Sequence, residues 1–408
     1  MKLVVQDQDQ NPLKGNSECS HPFEVNLELA LRRTLDTLLH KSFVPWKFHP
    51  RGSAFEPDAT GKGRDYVKHI NVKIVRIEDL EARLPFKARS RQHMKDAYTL
   101  DLEHDNAIHI VACHADGASY AMTTLTQLFF HHTTGGSYTT MGPFHIADAP
   151  RYLHRGLNLD VARSFYPVQD IIRTLEAMAH NKMNRLHLHI TDSQAWPLEV
   201  PGMVDLARKG AYGPHMTYSV TDLETIIIFG YLRGVKVYLE IDMPGHTSSL
   251  YHSHPELIAA YNVQPDWMAV AAEPPSGTMK LNSTSVRSFT EKLMESVLRM
   301  TIPYTYSYPF HTGGDEIKFD AYKYDDTLKT NDPNIIRKQL QSFIDPVHQQ
   351  LRKYTMYPIV WEEMLLKYNL TLAKDVIVQT WLGRDSTRKV VEAGHEAIVS
   401  DADYWVRR

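Results

Sequence analysis

The stretch that decides the fold is "RGLNLDVARSFYPVQDIIRTLEAMAHNKMNRLHLHIT" at residues 155–191. It contains a short apolar strand, a stretch with apolar residues at helical spacing, and a second apolar strand. This order is typical of a βαβ unit, in which the two strands run parallel. The same rhythm continues along the chain and predicts strands at 155–162, 185–191, 235–242, 308–314, 357–363, 376–382 and 396–402.

Repeated βα units predict an α/β fold of the (β/α)8 TIM-barrel type. A doubly wound open sheet is the structural alternative, but it would carry a Gly-rich phosphate loop after its first strand. The segment "NLDVARSFYP" at 158–167 is not such a loop. Seven strands are predicted, so we expect a barrel that lacks its last strand and helix. Two unpaired edges would cost such a sheet stability.

A smaller α+β domain is predicted at residues 1–149, before a catalytic barrel domain at 150–408. Its expected elements are a helix at 24–41, alternating strand patterns at 67–80, 96–103 and 107–114, and a helix at 116–132. The polar, Pro-containing stretch "MGPFHIADAPRYLHR" at 141–155 is the expected seam between the two domains.

Composition narrows the class of protein. The 408 residues include 43% hydrophobic and 23% charged residues, as in an ordinary globular chain of two domains. A formal charge of −3 without a basic run gives no reason to expect a nucleic-acid partner. No apolar run approaches the length of a membrane span. Cys19 and Cys113 form neither a disulfide framework nor a metal-binding spacing.

The ends of the chain raise a question of location. "MKLVVQDQDQ" begins like a signal peptide, but its apolar region is too short. We therefore expect either a cytosolic protein or a chain whose true N-terminus is missing. Asn282 and Asn369 begin glycosylation triplets, which matter only in a secreted protein.

The predicted active site lies at the C-terminal ends of the barrel strands. Acids, histidines, one arginine and two tryptophans stand there. They are Asp160, Arg163, His187, His189, Asp192, Glu240, Asp242, His246, His311, Asp315, Glu316, Trp361, Glu362, Glu363 and Trp381. Aromatic walls with hydrogen-bonding groups suit a sugar, whose faces carry C–H groups and whose edges carry hydroxyls.

Several of these residues have other interpretations. "HLH" at 187–189 resembles the HxH metal site of amidohydrolase-type barrels, so a metal-dependent hydrolase with His187 and His189 as ligands is a distant alternative to structural histidines. Asp242 either belongs to the site or caps the turn at Pro244 and Gly245. Core packing would also explain the two tryptophans, Trp361 and Trp381. We expect Asp160 and Glu363 to be structural rather than catalytic.

Adjacent acids, Asp315 and Glu316, follow two glycines in "HTGGDEIKFD" at 311–320. A glycosidase with two catalytic carboxylates needs them about 5–9.5 Å apart on opposite sides of the glycosidic bond. Neighbours at a strand end approach from one side, which Gly313 and Gly314 permit. That arrangement suits a nucleophile that belongs to the substrate. An N-acetyl oxygen would attack C1 while Asp315 holds the amide N–H and Glu316 protonates the leaving oxygen. A solvated loop is the alternative.

Six segments occur in an order typical of one family. They are "RGLNLDVARSFYP" (155–167), "MAHNKMNRLHLHITDSQAWPLE" (178–199), "GVKVYLEIDMPGHTSSL" (234–250), "HTGGDEI" (311–317), "VWEEM" (360–364) and "VQTWLG" (378–383). From about residue 20 to 405 the chain resembles the β-N-acetylhexosaminidases, family 20 of the glycoside hydrolases, especially the fungal ones. The segments "YTLDL" and "GASYAMTTLTQLFF" look like the non-catalytic first domain of that family.

The resemblance implies roles for seven residues. Glu316 would be the general acid and later the base, and Asp315 would orient and charge-stabilise the acetamido group as an oxazolinium ion forms. The supporting residues would be Asp192 and His246 as a relay behind Glu316, Arg163 as a clamp on sugar hydroxyls, and Trp361 and Trp381 as pocket walls.

The implied reaction is exo-hydrolysis of terminal non-reducing β-linked N-acetylglucosamine or N-acetylgalactosamine, with retention and without metal or cofactor. The implied partners are oligosaccharides or glycoconjugates, including chitin fragments, and a second copy in a homodimer. The usual location of the family is secreted, vacuolar or lysosomal. The sequence does not distinguish between the two sugars.

The chain departs from the family pattern after the seventh strand. Family members carry a Tyr here in a "YLD"-like segment, but this chain has Val406, Arg407 and Arg408 in its place. Tyr404 lies two residues before the expected position of that Tyr. The eighth strand, with a further Trp and an acid, is not found. The favoured interpretation is a hydrolase whose chain is truncated, poorly stable and weakly active. The alternative is a catalytically inactive sugar-binding homologue.

Overall fold

The computed structural model describes residues 2–7, 20–58, 65–87, 89–301 and 308–400. The expectations for Cys19, Tyr404 and the last three residues lie outside these ranges. Contacts divide the chain into two compact units. The first comprises the described part of 1–155 with the short segments 177–184 and 232–234, and the second holds the remaining described residues.

The first unit is built on a five-stranded sheet. Its strands are β1 (Lys2–Asp7), β2 (His69–Ile74), β3 (Tyr98–Leu102), β4 (Ala107–Ala112) and β7 (Phe144–Asp148), in the order β1-β2-β4-β3-β7. The first three strands in this order run parallel, and β3 is antiparallel to both of its neighbours. The short strands β5 (Phe130–His131) and β6 (Ser137–Tyr138) pair separately.

Helices cover both faces of this sheet because its strands alternate in side-chain direction. The helices are α1 (Ser20–Asp36), α2 (Ile77–Glu81), α3 (Arg91–Met94) and α4 (Ala115–Gln127). One face, with Ile108 and Ile110, packs in a core with residues of α1 and α4. The other face, with Val111, packs against Leu80 and Met94.

One local prediction in this unit was wrong, and one strand was not predicted. Residues 67–80 were expected to be strand throughout, but the strand ends at Ile74 and α2 follows. The supposed seam at 141–155 contains β7, whose Phe144 and Ile146 pack against the core. Only two apolar residues alternate there, so the local pattern is weak, and pairing with β3 forms the strand.

The second unit contains a seven-stranded parallel sheet. Its strands are β8 (Gly156–Asp160), β9 (Arg185–Thr191), β10 (Lys236–Ile241), β13 (Pro309–His311), β14 (Tyr357–Trp361), β15 (Ile377–Thr380) and β16 (Ala397–Val399). The order across the sheet follows the chain, and every neighbouring pair is parallel. A doubly wound sheet would reverse its order. Each observed strand lies within a predicted range, and among the described residues β8 and β16 stand at the two ends of the sheet.

Each parallel connection in this unit carries at least one helix. The helices are α5 (Val168–His180), α6 (Asp205–Gly210), α7 (Val220–Tyr231), α8 (Thr284–Thr301), α9 (Pro333–Lys353), α10 (Glu363–Leu366) and α11 (Arg384–Glu392). A short ribbon of β11 (Ile258–Ala259) and β12 (Thr278–Met279) lies between β10 and α8. None of the described helices is both long enough and apolar enough to cross a bilayer.

Strand β9 shows how the sheet positions polar groups. Leu186 and Leu188 are fully buried on one face, and His187 and His189 lie buried on the other. A strand buried on both faces is expected in a parallel β/α sheet covered by helices. The two histidines therefore lie in the interior of the sheet, directly before the acids at its C-terminal end.

Candidate active site

Asp315 and Glu316 lie on the same side of the chain because the backbone before them leaves the strand conformation. Gly313, Gly314 and Glu316 have φ of +68°, +97° and +50°. A regular strand would point the two acids to opposite faces. Here both carboxylates approach Nε2 of His246, which lies 3.8 Å from Asp315 Oδ2 and 3.5 Å from Glu316 Oε2. The pair is therefore presented from one side.

Gly313 cannot be replaced without strain, because a Cβ there would lie 1.8 Å from Oδ1 of Asp242. We expect Gly313→Ala to lower the free energy of unfolding by about 3 kcal/mol, from left-handed strain and overpacking together. Urea denaturation measures it. The control is Gly202→Ala, since Gly202 has φ +76° but open space around its Cα, and about 1 kcal/mol is expected. Equal losses for the two variants would contradict the prediction.

His246 connects the acid pair to a buried carboxylate. Its Nδ1 lies 3.2 Å from Oδ1 of Asp192, which is fully buried. Burial alone would lower the pKa of His246, but the charges of Asp315 and Asp192 outweigh it and raise that pKa well above its usual value. Burial would likewise raise the pKa of Asp192, and the charge of His246 with the His189 hydrogen bond holds it below the ordinary value. A cationic imidazole thus lies between Asp192 and the acid pair.

Arg163 is held by three carboxylates. Its guanidinium lies 2.9 Å from Asp160 Oδ2, 3.0 Å from Asp192 Oδ2 and 2.5 Å from Glu273 Oε1. Asp160 also accepts the backbone N–H of Arg163 and so shapes the turn after β8. Glu273 was missed in the sequence because it stands in a loop, "AAEPP", far from any predicted strand end. Hydrogen bonds from His246 and Arg163 overcome the effect of burial and lower the pKa of Glu273 to about 2.

Asp242 lies behind the acid pair and is 2% exposed. Its Oδ1 accepts the backbone N–H of Gly314 at 2.8 Å, so it stabilises the turn after β13 rather than its own turn. Burial and the charge of Asp315 raise the pKa of Asp242 well above its usual value. Among the described residues, Oδ1 of Asp315 is buried and has no hydrogen-bond partner. Asp315 therefore keeps a buried acceptor oxygen beside Glu316.

Trp381 contacts an acid, Glu363, whose pKa depends on the charge of Asp315. Its indole N–H donates to Glu363 Oε2 at 3.1 Å. Burial, followed by the charge of Asp315, raises the pKa of Glu363 to about 7. The acid expected to be structural is thus coupled to the acid pair.

The raised pKa of Glu363 predicts how stability depends on pH. The folded state binds the Glu363 proton more tightly than the unfolded state does. The stabilisation of the folded state by this proton is therefore complete below about pH 4.5 and is lost as pH rises through about 7. The loss amounts to as much as about 3 kcal/mol. We expect Glu363→Gln to remove this decline in urea titrations at a series of pH values. The exposed Glu392→Gln is the control, and parallel curves for Glu363→Gln and the wild type would show the prediction wrong.

Trp361 is placed differently from Trp381. It is 6% exposed, and its indole N–H donates to Oε1 of the buried Glu240 at 2.7 Å. Its ring centroid lies 4.8 Å from that of His311, inside the sheet. The role of Trp361 as a pocket wall stays a prediction.

The histidines of the HLH motif surround Glu240. His187 Nε2 and His189 Nδ1 lie 2.8 Å and 2.6 Å from its Oε2. The second ring nitrogen of His189 lies 2.6 Å from Asp192 Oδ2, so carboxylates occupy both of its nitrogens. This arrangement argues against His189 as a metal ligand. Three groups in the described part of the chain have ligand atoms close enough for an ion: His187–Glu240–His311, Asp192–Asp242–His246 and His246–Asp315–Glu316.

The fold and the site first define a class, barrel enzymes with carboxylates at the C-terminal ends of parallel strands. Family models then specify it. The model described as "Glycosyl hydrolase family 20, catalytic domain" matches residues 152–406, and the model "beta-acetyl hexosaminidase like" matches residues 2–128. The chain belongs to family 20 of the glycosyl hydrolases, which confirms the resemblance.

Individual curated relatives agree with this family assignment. A beta-hexosaminidase of Arthroderma benhamiae is 38% identical over 388 residues, covering 93% of this chain and 63% of the relative. Beta-hexosaminidase 1 of Coccidioides posadasii is 30% identical over 410 residues, covering 96% and 67%. The chain thus spans about two thirds of the length of these curated relatives.

Solved structures share the fold. A chitobiase of Flavobacterium johnsoniae superposes with a TM-score of 0.70 at 24% identity, covering 98% of this chain and 55% of that one. An exo-β-N-acetylglucosaminidase of Vibrio harveyi, solved in complex with N-acetylglucosamine, gives 0.71 at 19% identity, covering 98% and 57%. These likenesses confirm the predicted fold, a TIM-barrel type of sheet preceded by a smaller domain.

Proposed function

We propose that the protein is a β-N-acetylhexosaminidase that releases terminal non-reducing β-linked N-acetylglucosamine or N-acetylgalactosamine with retention. One observation carries the proposal. Asp315 and Glu316 meet His246 from one side, and a buried oxygen of Asp315 has no partner among the described residues. A pair presented from one side suits a substrate that supplies its own nucleophile.

In the first step, the N-acetyl oxygen attacks C1 and the bond from C1 to the leaving oxygen breaks. Glu316 gives its proton to that oxygen. Asp315 accepts the amide N–H with its carboxylate and balances the positive charge of the oxazolinium ring. In the second step, Glu316 takes a proton from water, and the water oxygen bonds to C1 as the ring reopens. Two inversions at C1 give net retention.

The other site residues receive supporting roles. Arg163, oriented by its three carboxylates, would donate to hydroxyls of the terminal sugar. His246 would hold the Glu316 carboxyl group in place, and Asp192 would hold His246 from the other side of its ring. Trp381 would form a wall of the pocket, and the same role is proposed for Trp361 once substrate is bound.

The proposed partners and location rest on the likeness to the family. We propose N-acetylhexosamine-terminated oligosaccharides or glycoconjugates as substrates, a homodimer as the assembly, no nucleic-acid partner, and a secreted, vacuolar or lysosomal location. Asn282 and Asn369 are both exposed, which is compatible with glycosylation there.

A pair of chromogenic substrates tests the function. Nitrophenyl N-acetyl-β-glucosaminide should be hydrolysed at least about 10³-fold faster than nitrophenyl β-glucoside, since only the first carries its own nucleophile. Addition of a chelator should leave the rate unchanged. Similar rates for both glycosides would overturn the substrate-assisted scheme. A folded protein that binds but does not hydrolyse the first substrate would instead favour the inactive sugar-binding alternative.

A further inference from the structure

The HLH motif has no part in the function proposed so far. Its second histidine, His189, is 5% exposed and bridges two buried carboxylates. Nδ1 lies 2.6 Å from Glu240 Oε2, and Nε2 lies 2.6 Å from Asp192 Oδ2. His187, on the same face, has its Nε2 2.8 Å from the same Glu240 oxygen. The two histidines of the motif are thus inequivalent.

A continuous path leads from the interior of the sheet to the acid pair. Glu240 contacts His189, which contacts Asp192 through Oδ2. The other oxygen of Asp192, Oδ1, lies 3.2 Å from His246 Nδ1, and His246 Nε2 lies 3.5 Å from Glu316. The first four members of the path are each at most 9% exposed. Carboxylates and imidazoles alternate along it.

We propose that His189 is a positioning residue that holds the Asp192 carboxylate so that Oδ1 faces His246, with Glu240 fixing the orientation of His189. This inference rests on the proposed function of Glu316. Arg163 also lies 3.0 Å from Asp192 Oδ2 and would draw that carboxylate toward itself if His189 were removed. His189 thereby keeps His246 aligned behind the acid pair.

The charge of His189 supports this role. Burial would lower its pKa, but the charges and hydrogen bonds of Glu240 and Asp192 raise it well above the usual value. The groups that face it are these two acids, the Arg163 guanidinium 3.3 Å from Nε2, and His187. By contrast, burial lowers the pKa of His187 to about 4, so that ring is neutral near pH 7.

Two substitutions separate the contacts of His189. In His189→Gln the amide nitrogen falls near the former Nε2 and keeps a donor for Asp192. In His189→Asn it falls near the former Nδ1 and keeps a donor only for Glu240. We expect His189→Asn to lower kcat/KM by about 10²-fold, the usual cost of a misplacement of about 1 Å. His189→Gln should retain most of the activity.

The pH profile of kcat/KM provides a readout that a merely structural role would not move. Both His189 variants remove a positive charge near the acid pair, so the basic limb should move to higher pH in both. His187→Asn and His187→Gln are the controls, and they should leave the limb unchanged because that ring carries no charge. Equal losses of kcat/KM in the His187 and His189 variants would overturn the proposal, and so would a basic limb that does not move in the His189 variants. In either case the activity of the wild type would still support the proposed function.

A measurement on the unmodified protein does not depend on activity. Nitrogen-15 NMR of the histidine rings should show both nitrogens of His189 protonated at neutral pH, and the signal should change in Asp192→Asn. A His189 ring with a single proton at neutral pH would overturn the bridging role, even if the protein hydrolysed no glycoside.

Discussion

Glu316→Gln is expected to lower kcat for an N-acetyl-β-glucosaminyl disaccharide by about 10²–10⁴-fold, the usual contribution of a general acid. The amide keeps the shape of the side chain but cannot deliver a proton to the leaving oxygen. Glu316 is one-third exposed and lies 3.5 Å from the His246 ring, so its carboxyl group is accessible to substrate and held from behind.

The choice of leaving group sharpens this test. A dinitrophenyl group leaves without protonation, so Glu316→Gln should lose far less on that substrate in the first step. Glu291→Gln is the matched control, since Glu291 is exposed on α8 in the same unit. Stopped-flow and steady-state rates on both substrates measure the difference. A loss of the same size on both substrates in the stopped-flow rate of the first step would contradict a general-acid role for Glu316.

Asp315→Asn is expected to lower kcat/KM for N-acetyl-β-glucosaminides by about 10²–10³-fold, as does the loss of one group that stabilises transition-state charge. The carboxylate both accepts the amide N–H of the substrate and balances the charge of the oxazolinium ring. An amide supplies no negative charge. The Asp315 carboxylate, which lies beside Glu316 and 3.8 Å from Nε2 of His246, is the group at which this interaction would be made.

A second effect of Asp315→Asn follows from its neighbours. The charge of Asp315 contributes to the raised pKa values of Asp242 and Glu363, so the stability of the variant should vary less with pH near neutrality. Asp385→Asn is the control, because Asp385 is 81% exposed at the start of α11. An Asp315→Asn variant with a near wild-type rate would rule out the proposed role of this acid.

Much of the fold was predictable because its signals are local. In β9 and α5 the apolar residues recur with the period of the element itself, so neighbours in sequence suffice to define both. Strand β7 was missed for the opposite reason. Phe144 and Ile146 give only one alternation beside a proline, and the strand forms because β3 offers it a partner.

The candidate site was predictable only in part. Rim position and residue type identified Arg163, Asp192, His246 and the acid pair, and the structure brings all five together. The placement of Trp361 in the interior and the contact of Glu273 with Arg163 depend on which side chains converge across distant loops. No pattern along the chain records that convergence.

By itself the sequence determined the order of strands and helices, the family, and the one-sided acid pair after two glycines, since each depends on residues that are adjacent or periodically spaced. Only the tertiary structure decided which groups carry charge and which atoms face one another. Burial and proximity set these properties, as the contrast between His187 and His189 on one strand shows.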